Sequence, residues 1–284
     1  VGTADSGSDY AAFVGSTITI PDGASSATFE VAVLQDALFE NNETLLATVS
    51  NASDAAIGIG TPTATGTIID NDNGAGAYDA VLSLIAHGNE TGPVNIQIQV
   101  EINTTNNTHG AITFDLSQTA GSATAGSDYV LPAAISIPDG ASSASLTLNV
   151  SDDALFENDE TATITLASPS DPAVSIATPS VAATITDNDN GAASVTANLD
   201  VETNGDEEGP SDTVYRVTLS KVNNTHAPIT FNIDPSGGTA IAGTDYANFG
   251  GGTTISVLHG SATGTVSIGV IDDDLFENSE TAAA

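Results

Sequence analysis

The 284-residue chain has no cysteine and only two basic residues, Arg216 and Lys221, against 37 acidic ones. Without cysteine, no disulfide holds the fold and thiol redox chemistry is excluded. The net charge of −35 argues against a nucleic-acid partner, whose phosphates need a basic surface, and against insertion at anionic membranes. Aromatics make up 5% of residues, so any core must be thin and built from Val, Ile, Leu and Ala. Thin cores bury little surface, and small domains that have them are often braced by something else, such as a metal. No stretch is long and apolar enough to cross a bilayer as a helix. No signal peptide is present, and the chain opens in mid-motif at Val1, as a segment of something longer would.

What is there is a repeat. Gly-Ser-Asp-Tyr ends at Tyr10 and Tyr129, and Gly-Thr-Asp-Tyr at Tyr246, at offsets of 119 and 117 residues. Pro-Asp-Gly-Ala-Ser-Ser-Ala at Pro21 and Pro138, and Asp-Asn-Asp-Asn-Gly-Ala at Asp70 and Asp187, both recur at 117. Independent landmarks at one long period mark tandem domains, here of β-sandwich size. The landmarks divide the chain into 1–73, a repeat lacking its first strands; 74–190, a complete repeat; and 191–284, a repeat lacking its last strands.

Within the second repeat the apolar pattern has a period of two. Ile96, Ile98 and Val100 alternate with Gln97, Gln99 and Glu101, and Ala162, Ile164 and Leu166 alternate with threonines. Strands read at about 80–85, 96–100, 112–116, 135–137, 146–150, 161–166 and 181–185. Seven short strands separated by Gly, Pro and Asn turns predict an all-β sandwich, and the chain as a whole a rod of tandem sandwiches.

Three acidic elements recur. The first is the Asp before Tyr: Asp9, Asp128 and Asp245. The second is a run around a Leu-Phe pair: 36–43, 152–160 and 272–280, with Glu40/Glu43, Glu157/Glu160 and Glu277/Glu280 each three apart. The third is Asp-Asn-Asp at 70–72 and 187–189. Loops leaving neighbouring strands at one pole of a sandwich converge, and crowded carboxylates repel unless a cation binds. Hard oxygen ligands suit calcium, which takes 6–8 of them. The competing readings are solvated acidic loops and a halophilic surface. Against both, 20 of the 37 acidic residues fall in these elements, while the outward strand positions are mostly Thr, Ser, Asn and Gln.

These motifs resemble the Calx-β domains of sodium–calcium exchangers, integrin β4 and large bacterial surface proteins. The likeness rests on Gly-Ser-Asp-Tyr, Pro-Asp-Gly, Asp-Asp-x-Leu-Phe-Glu-x-x-Glu and Thr-Ile-x-Asp-Asn-Asp, in that order. It implies a seven-stranded, immunoglobulin-like sandwich with a calcium cluster at one pole. Carried over, the second repeat would use Glu90, Asp128, Asp152, Asp153, Glu157, Glu160, Asp187, Asp189 and the carbonyl of Leu155. The third would use Glu208 (or Glu207, since the turn is longer there), Asp245, Asp272, Asp273, Leu275, Glu277 and Glu280. The first would use Asp9, Asp36, Leu38, Glu40, Glu43, Asp70 and Asp72. It departs from the pattern at Gln35, where Asp is usual, and lacks the early Glu, so its site is expected to hold fewer ions or hold them more weakly.

Asn-x-Ser/Thr triplets at Asn106, Asn149 and Asn223 are sterically possible glycan sites, whereas Asn42 and Asn89 lie inside acidic loops. His109 and His226 close matching Asn-Asn-Thr-His turns and read as loop residues, as do His87 and His259. Paired carboxylates can hydrolyse glycosides, but a catalytic site is rarely copied into every unit of an array, so no enzyme is expected. Cadherin-like repeats share Asp-Asn-Asp-Asn but need an arginine-bearing element that is missing. The expectation is an extracellular or cell-surface adhesin, stalk or fibril segment. Calcium would stiffen its loops and its junctions with neighbouring repeats or with copies end to end. The alternatives are a calcium-sensing regulatory module and a subunit of a self-assembling filament.

Overall fold

The structure, a computed structural model, describes residues 2–13, 16–208, 211–234, 237–248, 253–272 and 279–283. All regular elements among them are strands, and no helix is long and apolar enough to cross a membrane. The first repeat contributes β1 (Glu43–Thr48) and β2 (Thr63–Ile68), an antiparallel pair.

The second repeat is a two-layer sandwich. Its strands are β3 (Tyr78–Ala86), β4 (Gly88–Asn89), β5 (Ile96–Ile102), β6 (Ile112–Ala120), β7 (Ala134–Ile137), β8 (Ser143–Leu148), β9 (Glu160–Ala167), β10 (Val174–Thr178) and β11 (Ser180–Thr186). One sheet has the order β10-β3-β5-β8 and the other β4-β11-β9-β6-β7. The period-two pattern works as expected: β5 alternates buried Ile96, Ile98, Val100 and Ile102 with exposed or half-buried Gln97, Gln99 and Glu101. The inward rows of both sheets interlock around Phe114, Ile137, Leu148, Ile164 and Tyr129.

Two short strands were not read from the sequence. The two-residue β4 pairs parallel with β11, and β10 pairs parallel with β3 through Val174↔Tyr78. Neither shows an alternating run long enough to stand out, because each is ordered by its neighbour rather than by its own pattern. Gly88 in β4 is a close approach: a Cβ there would lie 2.8 Å from Val150 Cγ2 and 3.0 Å from Ile96 Cγ1. That contact seats the turn carrying Glu90 directly on the core.

The third repeat provides β12 (Ala197–Thr203), β13 (Thr213–Leu219), β14 (Ile229–Asn232), β15 (Gly237–Gly238), β16 (Thr254–Val257), β17 (Thr263–Ile268) and β18 (Ala282–Ala283). They form the sheets β12-β13-β17, β14-β16 and β15-β18. In the first repeat, the sequence counterparts of β7 and β8 form no strand. In the second repeat these two strands pair with β6 and β5, and among the described residues of the first repeat no strand matches either partner.

Candidate metal centre

The strand period also aims the acids. In β9 the inward row runs Glu160, Ala162, Ile164, Leu166, so the row that fills the core begins with a carboxylate. Ile185 pairs with Glu160 across β11, and its row continues through Asp187 to Asp189. The first repeat does the same, with Glu43 buried at the head of β1 opposite Ile68.

The remaining acids are held by tight loops. Each Asp before Tyr sits in a turn in which its backbone N–H donates to a carbonyl four residues back: Asp9 to Asp5, Asp128 to Thr124 and Asp245 to Ile241, all at 3.0 Å. The Oδ2 of each accepts the N–H of that same earlier residue, and the side chains of Asp9 and Asp128 also hydrogen-bond Glu43 and Glu160. Gly126 holds φ +97° inside this turn, a value that favours glycine. In the acidic runs, Asp36 Oδ1 accepts Leu38 N–H at 2.9 Å and Asp153 Oδ1 accepts Leu155 N–H at 2.8 Å, in Asx-turns. Leu38 and Leu155 themselves expose their side chains.

These elements converge. Carboxylate oxygens of Asp128, Asp153 and Glu157 lie within 4.8 Å of one another, as do those of Glu90, Asp187 and Asp189. Asp9, Asp36 and Glu40 repeat the former group in the first repeat. They line a cavity of about 50 Å³ together with Gln35, Glu43 and Asp70. That is room for ions and water, whereas a pocket for an organic ligand is about 300 Å³ or more. Asp152 stands at the edge, where its Oδ1 accepts Asn188 Nδ2 at 2.9 Å, and Gln35 replaces it in the first repeat. Asp72 accepts one of Gln35's hydrogen bonds.

In the third repeat only part of the acidic set lies among the described residues. Asp245 is buried in its turn, while Asp272 and Glu280 are exposed. Asp273, Leu275 and Glu277 lie outside the described residues. The turn of the early Glu resolves by comparison: Gly205 packs like Gly88, and Glu208 N–H donates to Asp206 Oδ1 as Thr91 N–H does to Asn89 Oδ1. Glu207 therefore takes the place of Glu90, and Glu208 that of Thr91.

Electrostatics make the clusters unfavourable without a cation. Burial pushes the carboxyls of Glu90 and Glu157 up to about 7, with Asp187 the next cause for Glu90 and Asp153 for Glu157. Burial likewise raises Glu43 and Glu160 to about 8; next come a hydrogen bond with Asp9 for Glu43 and the nearby Asp128 for Glu160. Glu40, Asp70 and Asp187 are also raised by burial. Three oxygens, Glu43 Oε1, Glu90 Oε2 and Asp189 Oδ2, are buried and accept no hydrogen bond. An unsatisfied buried acceptor costs about 1–3 kcal/mol, more when charged. Neither basic residue neutralises these acids: Arg216 faces Glu202 at 3.8 Å, and Lys221 Nζ donates to the carbonyl of Ala154. An all-oxygen, anionic set with orphaned acceptors fits a hard divalent cation.

Several residues of the site escaped sequence reading. Asn73 and Asn190 close the Asp-Asn-Asp-Asn motif, and their side-chain amides donate to the carbonyls of Glu40 and Glu157. Phe39 is fully buried, and it belongs to the core of the second repeat rather than its own. His109 Nδ1 lies 3.4 Å from Glu43 Oε1 and His226 Nδ1 3.4 Å from Glu160 Oε1, each reaching back to the preceding repeat. His87 and His259 also have partners, their Nδ1 atoms accepting the N–H of Thr184 and of His226. A Phe kept inside a hydrophilic run was the signal available in the sequence, since such a ring needs somewhere to be buried.

The glycan reading of Asn106 and Asn223 is overturned. Both side chains are fully buried. Asn106 Nδ2 donates to the carbonyls of Gly110 and Ile137, and Asn223 Nδ2 to those of Ala227 and Val257. The triplet Thr supplies a donor to the Asn Oδ1 at 2.7 Å in each case, so the motif here serves turn chemistry. Asn149 is exposed.

The family model described as the Calx-beta domain matches residues 2–73, 89–190 and 200–282. Among solved structures, an apo-form Calx CBD1 domain is similar at 24% identity over 39% of this chain and 98% of that one, with a TM-score of 0.33. CBD12 from CALX1.2 is similar at 18% identity over 67% of this chain and 74% of that one, with a TM-score of 0.32. The calcium binding domain CBD12 of CALX1.1 is similar at 17% identity over 65% of this chain and 72% of that one, with a TM-score of 0.31. No curated protein matches the chain.

Proposed function

The chain belongs to the Calx-beta domain family, and from that premise we propose that it is a calcium-stabilised structural stretch of an extracellular adhesin, stalk or fibril. The observation that carries this reading is the pair of three-carboxylate groups in the second repeat, with buried oxygens that accept no hydrogen bond. Such groups are costly as bare anions and costly to keep protonated at neutral pH. A divalent cation removes both costs. Asp128, Asp153 and Glu157 would hold one ion and Glu90, Asp187 and Asp189 another, with Glu160 between the sheets beside them. In the first repeat Asp9, Asp36 and Glu40 would hold one.

The cation's contribution is mechanical. It fixes loops that leave different strands, so it ties the two sheets together at one pole. The same loops carry Phe39 into the core of the next repeat and hold the Phe156 carbonyl against Asn224, so ordering them also orders the junctions. The role is structural rather than catalytic: the acids recur in each unit. A location outside the cell, where calcium is abundant, suits a site that depends on it for stability.

The test is a thermal melt of the full chain in calcium and in excess chelator, at fixed high ionic strength. A large fall in Tm on chelation, restored by calcium and not by sodium, is expected. An unchanged Tm would mean the acids serve solubility or salt adaptation.

A further inference from the structure

The two junctions between repeats are built alike. At the first, Asn107 N–H donates to the carbonyl of Phe39 at 3.0 Å, Asn41 Nδ2 donates to the carbonyl of Thr108 at 3.2 Å, and His109 Nδ1 stands 3.4 Å from Glu43 Oε1. At the second, Asn224 N–H donates to Phe156 at 3.1 Å, Asn158 Nδ2 to Thr225 at 3.2 Å, and His226 Nδ1 stands 3.4 Å from Glu160 Oε1. Every partner is shifted by 117 residues. Each junction therefore joins the acidic loop of one repeat to the Asn-Asn-Thr-His turn of the next.

The turn is stiff before anything docks on it. Its first Asn is fully buried and spends both amide hydrogens on backbone carbonyls of its own repeat. His109 and His226 hold φ of 57° and 59°, which aims the two imidazoles alike. The N–H of His109 is tied to Asp139 Oδ1, and that of His226 to His259 Nδ1. The acidic loop, by contrast, has no strand structure between Asp36 and Asn42 or between Asp152 and Asp159. Its shape depends on what it touches. Asn41 and Asn158 lie between the paired glutamates of each run, so a bond to them constrains both carboxylates at once.

We propose that the Asn-Asn-Thr-His turn of each repeat is the positioning element for the calcium loop of the repeat before it. The affinity of each site is then set across the junction by its follower. This rests on the calcium reading above. His109, His226 and the backbone of Asn107 and Asn224 are positioning groups that act through the loop. The buried Glu43 Oε1, which accepts no hydrogen bond, stands 3.4 Å from His109 Nδ1, so the imidazole restricts where that carboxylate can turn relative to Asp9 and Asp36. By thermodynamic reciprocity, calcium must tighten the docking by the same factor by which docking tightens calcium.

Two measurements on the full chain test this. In titration calorimetry, His109→Ala with His226→Ala, and separately Asn41→Ala with Asn158→Ala, should weaken calcium binding at a subset of sites, within the roughly 5- to 150-fold range of site–site coupling. His109→Gln with His226→Gln, which keeps a donor at the same reach, should recover most of the loss. A wild-type chain that binds calcium, alongside variants with unchanged affinity and stoichiometry, would refute the positioning role and leave the calcium reading standing. A wild-type chain that binds none would remove both. The second measurement needs no variant. Hydrogen exchange at the Asn107 and Asn224 amides should slow on adding calcium, together with the loop amides of Leu38 and Leu155. Slowing at Leu38 and Leu155 without slowing at Asn107 and Asn224 would overturn the proposal.

Discussion

The ring of Phe39 lies 4.4 Å from that of Tyr78, centroid to centroid and tilted by 31°, although the two residues belong to different repeats. Phe39 is fully buried there, in a core otherwise made by the second repeat. The Leu-Phe pair inside the acidic run thus divides its labour. Leu38 stays exposed while its N–H fixes Asp36, and Phe39 leaves its own repeat to fill the next. The metal loop and the neighbour's packing are consequently one piece of chain.

Phe39→Ala should therefore destabilise the second repeat. Emptying a fully enclosed aromatic site costs about 3–5 kcal/mol. Because Phe156 is only half-buried at the second junction, Phe156→Ala should cost less. Denaturant unfolding of the two variants, followed through amides in β5 and β9, checks the order. Equal losses, or a loss confined to β1 and β2, would show that Phe39 does not serve the neighbouring core.

The raised carboxyls give an unusual pH dependence. Glu90, Glu157, Glu43 and Glu160 titrate at about 7, 7, 8 and 8 in the fold, against an ordinary value of 4.5. Between these limits the folded chain binds more protons than the unfolded one. The stability from their neutral forms is fully present below the unfolded value and is lost as pH rises through the folded one. In chelator, Tm should fall from about pH 5 to about pH 8, the reverse of the usual carboxylate behaviour. Calcium binds the ionised forms, so its binding at neutral pH should release protons. Calorimetry in buffers of different ionisation enthalpy measures that release. A Tm in chelator that rises across this range would contradict the burial of these groups.

What the sequence made legible followed from periodicity and from repetition. The alternation in 96–102 and 160–167 places the core rows, and the same alternation puts Glu160 and Asp187 inward, at the mouth of the core. The acidic motifs could be located because three copies stand at one period. What stayed hidden needed a partner far away in sequence. β10 is a strand because Tyr78 is beside it, and Phe39 and His109 acquire meaning only when the next repeat docks. Asn106 misled because a glycan triplet and a buried Asn-x-Thr turn share the same letters, and burial alone separates them.

That turn yields a further expectation. Asn106→Ala takes the side-chain amide donor from the Ile137 carbonyl and the Oδ1 acceptor from the buried Thr108 N–H, while Gly110 keeps its hydrogen bond from Thr108 Oγ1. Unsatisfied buried groups cost about 1–3 kcal/mol each, so a fall in Tm of several degrees is expected in calcium and in chelator alike. Asn149→Ala, on an exposed strand-end position, should leave Tm unchanged in both. If the two variants melt together with wild type, the buried network at Asn106 contributes nothing.

Gln35 marks the chemical difference between the first and second repeats. Its Nε2 donates to the carbonyl of Asp36 at 2.8 Å, to Asn71 Oδ1 at 3.0 Å and to Asp72 Oδ2 at 3.2 Å. In the second repeat Asp152 stands at this place and accepts a hydrogen bond instead. An uncharged amide whose hydrogens point at the closing motif occupies lone pairs that a cation would use, and it relieves part of their repulsion without carrying a charge. Gln35→Asp removes those donors and adds an anion beside Asp36 and Asp72. The variant should be less stable than wild type in chelator, because like charges are then packed without a counterion. In calcium it should take up about one further ion per chain and recover its Tm, since the added carboxylate supplies the hard ligand the site lacks. Equilibrium dialysis gives the stoichiometry and a paired melt gives the crossover. An unchanged ion count, with the chelator and calcium melts lowered equally, would show that Gln35 is a loop residue with no bearing on the metal.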